Sequence, residues 1–359
     1  LLGINDFHGR IDANTVKFAG TIEQLRADYG DDNTLFVSNG DNIGASLFAS
    51  SLFGDKPTID VLNALELAVS AAGNHEFDQG VDDLTGRVTD LADFPYVVAN
   101  VFKDGQPILP EYAIFEVDGV RVGVVGAVTQ LTPTLVSQEG IEGIEFREPV
   151  AEVNRVVAEI DDQVDVIVAQ YHEGTELSAS SATLEQALAA GGAFASIVND
   201  TDPAVDAIFT GHTHALYAWD APIPGGEGTR PILQTGSYGD NIGQIVLTVD
   251  GSGDVVDYTA RNVSRLSAPD TAASAALDAS LIATYPRVAE VSEIVTAARA
   301  EADIVGREPV GSVTADITTA FQEGGYVDGV YAGGKRDDRS KQSALGGLVA
   351  DALLSTLAD

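Results

Sequence analysis

The chain has 359 residues, a length that allows two domains and a large hydrophobic core, and it contains no apolar run of about 18 residues that could cross a membrane. With 55 acidic and 19 basic residues the formal net charge is −36, and a surface of this sign should repel polynucleotides and anionic lipids. Cysteine is absent, which excludes disulfides, zinc–thiolate sites and a thiol nucleophile.

Strand-like and helix-like segments alternate through residues 1–266, the pattern typical of an α/β domain. Because the chain begins directly on a strand, we expect a trimmed or processed N-terminus. The predicted strands are 1–4, 34–37, 69–72, 96–101, 111–117, 120–125, 164–169, a strand starting at 205, 231–234, 242–249 and 255–263, and the predicted helices are 16–29, 59–65, 80–91, 149–160 and 183–198.

The last third of the chain has a different composition. Residues 267–305 are rich in Ala, Glu, Asp and Ser at helical spacing, which predicts a helical linker. Residues 306–359 are predicted to hold a short strand at 310–313, a Gly-rich charged loop at 324–341 and a helix at 343–357. So short a segment could bury little core alone, so we interpret it as the beginning of an incomplete second domain. We interpret its basic residues, Lys335, Arg336, Arg339 and Lys341, as a solvated loop.

All five histidines follow predicted strands: His8, His75, His172, His212 and His214. Residues two apart on an extended chain point to the same side, so His212 and His214 can face one point in space. In open α/β sheets, ligands bind outside the carboxyl ends of the strands, where all five lie. The rest of the chain is therefore expected to bring these strand ends together.

Carboxylate and amide groups accompany the histidines at the same strand ends. Asp6 precedes His8 by two residues, and Asp41 lies at a glycine turn in Asn39-Gly40-Asp41. The segment 73–78 supplies an amide from Asn74, an imidazole and two carboxylates. This mixture of oxygen and nitrogen donors suits Mn²⁺, Zn²⁺, Fe²⁺ or Co²⁺ and does not choose among them.

Two longer motifs carry a family resemblance: Asn5-Asp6-Phe7-His8-Gly9-Arg10 and Gly73-Asn74-His75-Glu76-Phe77-Asp78. With Gly211-His212-Thr213-His214, they resemble the calcineurin-like metallophosphoesterases, in the branch of bacterial 5′-nucleotidases and UDP-sugar hydrolases. The similarity covers nearly the whole chain, and residues 339–354 resemble the start of that family's C-terminal domain. The remainder of that domain, which holds the nucleoside in the family, is not in this sequence.

The resemblance implies an α/β fold, a four-layer αββα sandwich over residues 1–266, followed by a linker helix over 267–305 and the start of a second α/β domain over 306–359. It also implies two divalent metal ions. Asp6, His8, Asp41 and His214 would bind one ion, and Asp41, Asn74, His172 and His212 the other, with Asp41 as the bridge.

The resemblance also implies catalytic roles. His75 would contact the substrate beside Asn74, steady the developing charge and protonate the leaving oxygen, and Asp78 would orient the His75 ring. The alternative interpretation is that His75 caps the following helix and Asp78 is an acid of its first turn. Of two further aromatic residues, we interpret Tyr171 as packing and place Trp219 in a loop, either as a lid contact or in the core.

The expected activity is hydrolysis of nucleoside 5′-monophosphates by a hydroxide bound at the dinuclear centre. A 2′,3′-cyclic nucleotide phosphodiesterase or a UDP-sugar hydrolase would use the same centre, and a non-catalytic surface binding module is a further alternative. The resemblance implies an extracellular or cell-envelope location and a small-molecule substrate. No nucleic-acid polymer, membrane span or protein partner is expected.

Overall fold

The predicted alternation of strands and helices is present in the computed structural model, which describes residues 1–357 apart from 315, 324, 328–329, 333–337 and 339. The chain divides into two units, Leu1–Asp303 and Ile304–Asp359. The strands are β1 (Leu2–Ile4), β2 (Phe36–Ser38), β3 (Val69–Ala71), β4 (Tyr96–Val97), β5 (Val101–Lys103), β6 (Gln106–Pro107), β7 (Tyr112–Val117), β8 (Val120–Val128), β9 (Ile144–Phe146), β10 (Val166–His172), β11 (Ala207–Thr210), β12 (Leu216–Pro222), β13 (Thr229–Thr235), β14 (Asn241–Val249), β15 (Val255–Ser264), β16 (Gly325–Val327) and β17 (Val330–Ala332).

Two six-stranded sheets form the centre of the first unit. The first sheet has the order β15-β14-β1-β2-β3-β4 and the second has the order β12-β13-β11-β10-β8-β7. Strands β1 to β4 are parallel to one another, as are β8, β10, β11 and β13. The helices are α1 (Thr15–Ala27), α2 (Phe48–Ser51), α3 (Lys56–Ala64), α4 (Val81–Asp83), α5 (Thr89–Leu91), α6 (Pro149–Ile160), α7 (Leu184–Ala190), α8 (Gly192–Asp200), α9 (Thr271–Thr284), α10 (Pro286–Gly306) and α11 (Ala344–Leu357).

Three hydrophobic clusters separate four layers, which confirms the predicted αββα sandwich. One cluster joins the two sheets to each other, with Val37 and Val69 from the first sheet meeting Val168 and Phe209 from the second. The Phe209 ring occupies the space above Gly3, where a Cβ would lie 2.2 Å from its Cε1 atom. The other two clusters bury α1, α3 and α10 against the first sheet and α6 and α8 against the second.

Helix α6 shows how the sequence encodes one of these layers. Pro149 occupies the first turn, where its missing N–H costs nothing, and the Glu148 carboxylate accepts hydrogen bonds from the Val150 and Ala151 amides. Its buried residues recur at the three- and four-residue spacing of one helix face. On the neighbouring strand β10 every residue is buried, as expected for a central parallel strand.

Several element predictions were wrong in detail. The single helix predicted over 183–198 is two helices, because Gly191 and Gly192 both adopt positive φ and interrupt it. The strand predicted over 96–101 is divided into β4 and β5, which belong to different sheets. Trp219 lies on strand β12 rather than in a loop.

The region predicted as a helical linker forms α9 and α10, which belong almost entirely to the first unit and pack against its core. Leu281 of α9 and Val288 and Val291 of α10 are buried in the same cluster as α1. Arg287 makes ion pairs with Glu23, Asp31 and Glu66. The predicted domain boundaries stay a prediction. None of the helices among the described residues has the length and apolar character needed to cross a membrane.

The second unit contains the antiparallel pair β16–β17 and helix α11. The strand predicted over 310–313 is not formed, since Val310 and Val313 are exposed there and have no strand beside them. Part of the loop predicted over 324–341 is instead the β16–β17 pair. Lys335, Arg336 and Arg339 lie outside the described residues, whereas the Lys341 ammonium pairs with Asp338.

Candidate metal and catalytic site

Seven of the side chains singled out from the sequence meet at one end of the two sheets, and we call them the strand-end cluster. They reach one place because parallel strands present their carboxyl ends on the same side, and both sheets do so here. Asp6 and His8 follow β1, Asp41 follows β2, Asn74 follows β3, His172 ends β10, and His212 and His214 follow β11.

Among the described residues three groups of ligand atoms could each hold a cation, and one of them, His8, Asp41 and His75, overlaps the other two. In the first, which contains Asp6, His8 and His214, the Nε2 atoms of His8 and His214 are 3.1 Å apart and His214 Nε2 is 3.4 Å from Asp6 Oδ1. In the second, which contains Asp41, His172 and His212, His172 Nε2 is 3.1 Å from Asp41 Oδ2.

Asp41 lies between the two groups. Its Oδ2 atom is 3.8 Å from His8 Nε2 and 3.1 Å from His172 Nε2, so one carboxylate faces both. Its Oδ1 atom accepts a hydrogen bond of 2.8 Å from the His75 amide, which fixes the carboxylate plane. This is the position that a ligand shared by two cations would occupy.

The backbone at these residues is in the left-handed region. Five members of the cluster have φ between 49° and 70°, a conformation that non-glycine residues adopt at a cost of about 1 kcal/mol each. The surrounding structure must hold them there, which indicates a requirement on where their side chains point. The five are Asp6, His8, Asp41, His212 and His214.

Two glycines allow the strand ends to approach each other. A Cβ on Gly73 would lie 2.2 Å from Asp41 Oδ1, and one on Gly40 would lie 2.8 Å from His172 Nδ1. Gly40 also has φ of +89°. Any side chain at either position would therefore displace the cluster.

Backbone carbonyls fix the orientation of two imidazoles. His8 Nδ1 donates to the Gly44 carbonyl at 3.0 Å and His172 Nδ1 donates to the Asn39 carbonyl at 2.7 Å. A carbonyl can only accept, so each Nδ1 carries a proton, and Nε2 of each ring faces the cluster, where it can bind a cation once it is unprotonated.

The sequence analysis did not assign a role to Asn5, which positions Asp6. The Asn5 amide nitrogen donates to Asp6 Oδ2 and to the Gly236 carbonyl, and its oxygen accepts from the Thr235 amide and hydroxyl. The sequence contained no signal for this role beyond the presence of Asn5 in the first motif.

Glu76 is a second residue whose role was missed. It is buried, and its carboxylate accepts hydrogen bonds of 2.6–2.9 Å from the Gly73, Asp41 and Asn42 amides, which ties the turns after β2 and β3 together. Burial, followed by the charge of Asp41, raises the pKa of Glu76 to about 7. Glu76 lies in the second quoted motif, so its residue type was visible in the sequence and its function was not.

His75 and Asp78 form a pair beside the cluster. His75 Nδ1 is 2.8 Å from Asp78 Oδ2, and the His75 ring lies edge-on to His8 with 5.0 Å between centroids. The hydrogen bond to Asp78 raises the pKa of His75 to about 9, although partial burial opposes the shift. Both side chains are about one third exposed, so His75 can meet a molecule that enters from solvent.

An aromatic residue that the sequence analysis did not name, Tyr238, borders the strand-end cluster. The Tyr238 ring packs 5.4 Å from the His214 ring and 5.8 Å from the His8 ring, and the Arg10 guanidinium lies 4.1 Å from the Tyr238 centroid. Tyr238 also donates its backbone N–H to the Asp6 carbonyl. Tyr238 lies outside the motifs quoted from the sequence, so it was not singled out.

The two aromatic residues that were named from the sequence, Tyr171 and Trp219, have structural positions. Tyr171 is completely buried and its hydroxyl contacts Thr201 Oγ1 at 2.9 Å, as its interpretation as a packing residue predicted. Trp219 stacks on Tyr217 with centroids 4.3 Å apart and packs against the second-sheet core.

The residues present fit divalent cations. Asp6 Oδ1 and Asn74 Oδ1 are buried without a hydrogen-bond partner, and the Nε2 atoms of His8 and His214 face each other across the cluster. Burying such atoms costs free energy unless a positive group binds them. The carboxylates of Asp41 and Asp6 also raise the pKa of His172 against the effect of burial, so protons and cations compete for the same atoms.

Known proteins match the chain in sequence. Residues 1–216 match the model of the family described as calcineurin-like phosphoesterase. Endonuclease YhcR of Bacillus subtilis is 31% identical over 356 residues, 88% of this chain and 28% of that protein. A 5′-nucleotidase of Vibrio cholerae is 31% identical over 185 residues, 48% of this chain and 33% of that protein. The chain thus spans a third or less of the length of these relatives.

Solved structures share the fold. The calcineurin-like phosphoesterase YfkN from Bacillus subtilis has a TM-score of 0.65 and 25% identity, and the match covers 86% of this chain and 98% of that one. A 5′-nucleotidase precursor from Thermus thermophilus has a TM-score of 0.64 and 20% identity, covering 88% of this chain and 61% of that one.

Proposed function

The chain belongs to the calcineurin-like phosphoesterase family and is a phosphoric ester hydrolase, and from that premise we propose that it removes phosphate from nucleoside 5′-monophosphates. Relatives support this substrate class, since several are named 5′-nucleotidases and another, YfkN of Bacillus subtilis, is named a trifunctional nucleotide phosphoesterase. The strongly acidic composition favours a small substrate over a polynucleotide.

The proposal includes two divalent cations, of a metal that the donor set does not select. Bound there, they would attract phosphate oxygens and lower the pKa of a water molecule enough to make it a nucleophile near neutral pH. Asp6, His8, Asp41 and His214 would hold one, and Asp41, Asn74, His172 and His212 the other.

The chain's own acid completes the reaction. Water adds to phosphorus, the bond from phosphorus to the leaving oxygen breaks, and His75 gives that oxygen a proton, so the products are a nucleoside and inorganic phosphate. Asp78 keeps His75 charged through their 2.8 Å contact. Asn74 and His75 would contact the substrate phosphate.

One observation supports this mechanism above the others. The Asp41 carboxylate faces both ligand groups with one oxygen and accepts the His75 amide with the other. The cation site and the acid are therefore parts of one arrangement, which a non-catalytic binding module would not need.

The test is metal analysis together with hydrolysis after chelation and addition of Mn²⁺. We expect about two metal ions per chain and Mn²⁺-dependent release of phosphate from AMP. Asp41→Asn should abolish both, while Asp90→Asn, at an exposed position, should change neither. If the protein hydrolysed 2′,3′-cyclic AMP or UDP-glucose in preference to AMP, the proposed substrate class would be wrong, whereas the proposed cation centre would stand.

We also propose an extracellular or cell-envelope location. A relative that is 31% identical over 257 residues is named a cell wall protein of Listeria monocytogenes. Immunodetection of the natural protein in fractionated cells tests this, and recovery in the cytoplasmic fraction alone would contradict it.

A further inference from the structure

His214 is a member of the first ligand group whose ring is not fixed by a hydrogen bond. His8 Nδ1 donates to the Gly44 carbonyl, whereas His214 Nδ1 makes no hydrogen bond with the described residues. The His214 side chain is also 36% exposed, compared with 4% for His8. Histidines that bind metals usually donate their other N–H to a fixed acceptor, which holds the ring in place. A cation site at His214 therefore requires another contact that orients the ring.

Tyr238 contacts every member of this first group, which consists of Asp6, His8 and His214. Its ring lies edge-on to His214, with 5.4 Å between centroids and 78° between planes, and it lies 5.8 Å from His8. Edge-to-face packing at this separation is a favourable aromatic geometry. The Tyr238 backbone N–H donates to the Asp6 carbonyl at 2.8 Å. Among the described residues, no hydrogen bond or ring contact joins Tyr238 to the histidines of the second group.

The backbone of Tyr238 would suit glycine better than tyrosine. Its φ is +62°, in the left-handed region, which a residue with a Cβ adopts at a cost in free energy and glycine does not. The turn is also fixed, because Arg265 Nη1 donates to the carbonyls of Tyr238 and Gly239 at 3.4 and 3.2 Å. A ring kept on a fixed turn, where glycine would be unstrained, indicates a requirement for the ring.

The Arg10 guanidinium packs on the same ring. Its Cζ atom lies 4.1 Å from the Tyr238 centroid, and the guanidinium makes no hydrogen bond or ion pair with the described residues. A guanidinium close to the face of an aromatic ring is attracted to it. Arg10 therefore holds the Tyr238 ring in addition to the two imidazoles, so the ring can in turn restrict the rotation of His214.

We propose that Tyr238 is a positioning residue for the cation of the first group. Its ring holds the His214 imidazole with Nε2 3.4 Å from Asp6 Oδ1, and this increases the affinity of the first group for a cation. The second group has its own orienting contact, from His172 Nδ1 to the Asn39 carbonyl, and does not depend on Tyr238. The inference rests on the cation centre of the proposed function and adds a residue that binds neither cation nor substrate.

Titration of the metal-free protein with Mn²⁺ in a calorimeter tests this role through the two dissociation constants. His214→Ala identifies the constant of the first group, because it removes a ligand of that group alone. Tyr238→Gly should raise the same constant about threefold to tenfold, the effect of one aromatic contact, and leave the other constant unchanged. Tyr238→Phe keeps the ring and should retain the parental constant, since the Tyr238 hydroxyl makes no hydrogen bond with the described residues.

Asp104→Gly is the matched control, because Asp104 is exposed and also has a positive φ, of +51°. It should change neither constant. Tyr238→Gly combined with His214→Ala should bind the first cation as tightly as His214→Ala alone, because a residue that acts through His214 has no effect once that ring is absent. A further threefold rise of the constant in the double variant would overturn the role of Tyr238.

Three other results would overturn this role and leave the cation centre in place: an unchanged first constant in Tyr238→Gly, an equal rise of both constants, or a raised constant in Tyr238→Phe. A parent that binds no Mn²⁺ would overturn the cation centre and this inference with it. A parent that binds two ions and hydrolyses no phosphate ester would overturn the proposed function alone, since the dissociation constants would still decide the role of Tyr238.

Discussion

Strand β11 has polar side chains at both of its ends, and the two ends are arranged in different ways. Asp206 precedes the strand and Arg230 lies beside it on β13, whereas His212 and His214 follow it. At the first end the carbonyl and carboxylate acceptors have donors, although Arg230 Nε is buried without a partner among the described residues. Arg230 donates to the carbonyls of Thr201, Asp202 and Val205, and Asp206 accepts the Ile167 amide.

At the second end buried acceptor atoms lack a donor among the described residues. The Nε2 atoms of His8 and His214 are 3.1 Å apart, and Asp6 Oδ1 is buried without a hydrogen-bond partner. Burial of polar groups stabilises a fold only when the groups satisfy one another, so the first end fits a structural role. The second end is incomplete by the same criterion until a positive group binds. The comparison separates residues that should affect stability from residues that should affect activity.

The largest expected effect is at the catalytic end. His75→Ala should lower kcat by about 10²–10⁴ because it removes the proton donor, while metal content stays at the parental value. Metal analysis and steady-state kinetics on the same preparation measure both. Parental activity in a folded, metal-loaded variant would refute the role of His75.

Arg230→Met should have the largest effect at the structural end. Arg230 is completely buried, and its loss removes a donor from three carbonyls, of which only that of Asp202 keeps another, the Val205 amide, so we expect a destabilisation of about 3–5 kcal/mol. Urea unfolding measures it. Arg121→Met, which removes an arginine that is half exposed, should change the free energy of unfolding far less.

The activity of Arg230→Met completes this test. At a temperature where the variant is folded, its kcat should equal the parental value, since Arg230 contacts none of the cluster. If kcat fell while the free energy of unfolding stayed unchanged, Arg230 would act in activity and not in stability, the opposite of what we expect.

Residue type and strand position explain how much could be predicted from the sequence. The alternation of apolar runs and helical segments predicted an α/β domain, and the family resemblance added the four-layer sandwich; both were correct. Because the histidines and carboxylates follow apolar runs and parallel strands bring such positions together, the seven side chains meet as expected. Their roles as ligands, like those of His75 and Asp78, stay a prediction.

What could not be predicted depends on contacts distant in the chain. Asn5 is positioned by Thr235 and the Tyr238 amide bonds to Asp6, and each pair is separated by about 230 residues, so no local pattern reports them. Glu76 was visible as a carboxylate, but its three amide donors come from two different turns. The sequence shows which residue types are present, but contacts between distant parts of the chain determine what each residue does.

Asp78→Asn should have a smaller effect, on the pH dependence of activity. The imidazolium of His75 is the proton donor, so activity that depends on it is lost as the pH rises through the pKa of His75. The contact with Asp78 raises that pKa, so its loss should move the alkaline limb of the kcat profile toward lower pH by about one unit. Asp82→Asn, at an exposed acid of the next helix, is the control. An unmoved limb would show that Asp78 only packs against His75.

The smallest expected effect concerns Asp206 at the structural end. Burial raises its pKa to about 6, above the value of about 3.9 in an unfolded chain. Between these two values the folded state binds more protons, so the stability that Asp206 contributes is complete below about pH 4 and is lost as the pH rises through 6.

Asp206→Asn removes this titration and keeps an oxygen that can accept the Ile167 amide. Because the side chain is partly exposed, we expect the variant to be more stable than the parent by only about 1 kcal/mol at pH 7.5 and by less than that at pH 4.5. Urea unfolding in the presence of a chelator measures the difference without contributions from metal binding. If the gain in stability were the same at both pH values, ionisation of Asp206 would not be its cause. Burying the Asp206 carboxylate at the first end of β11 would then cost no free energy.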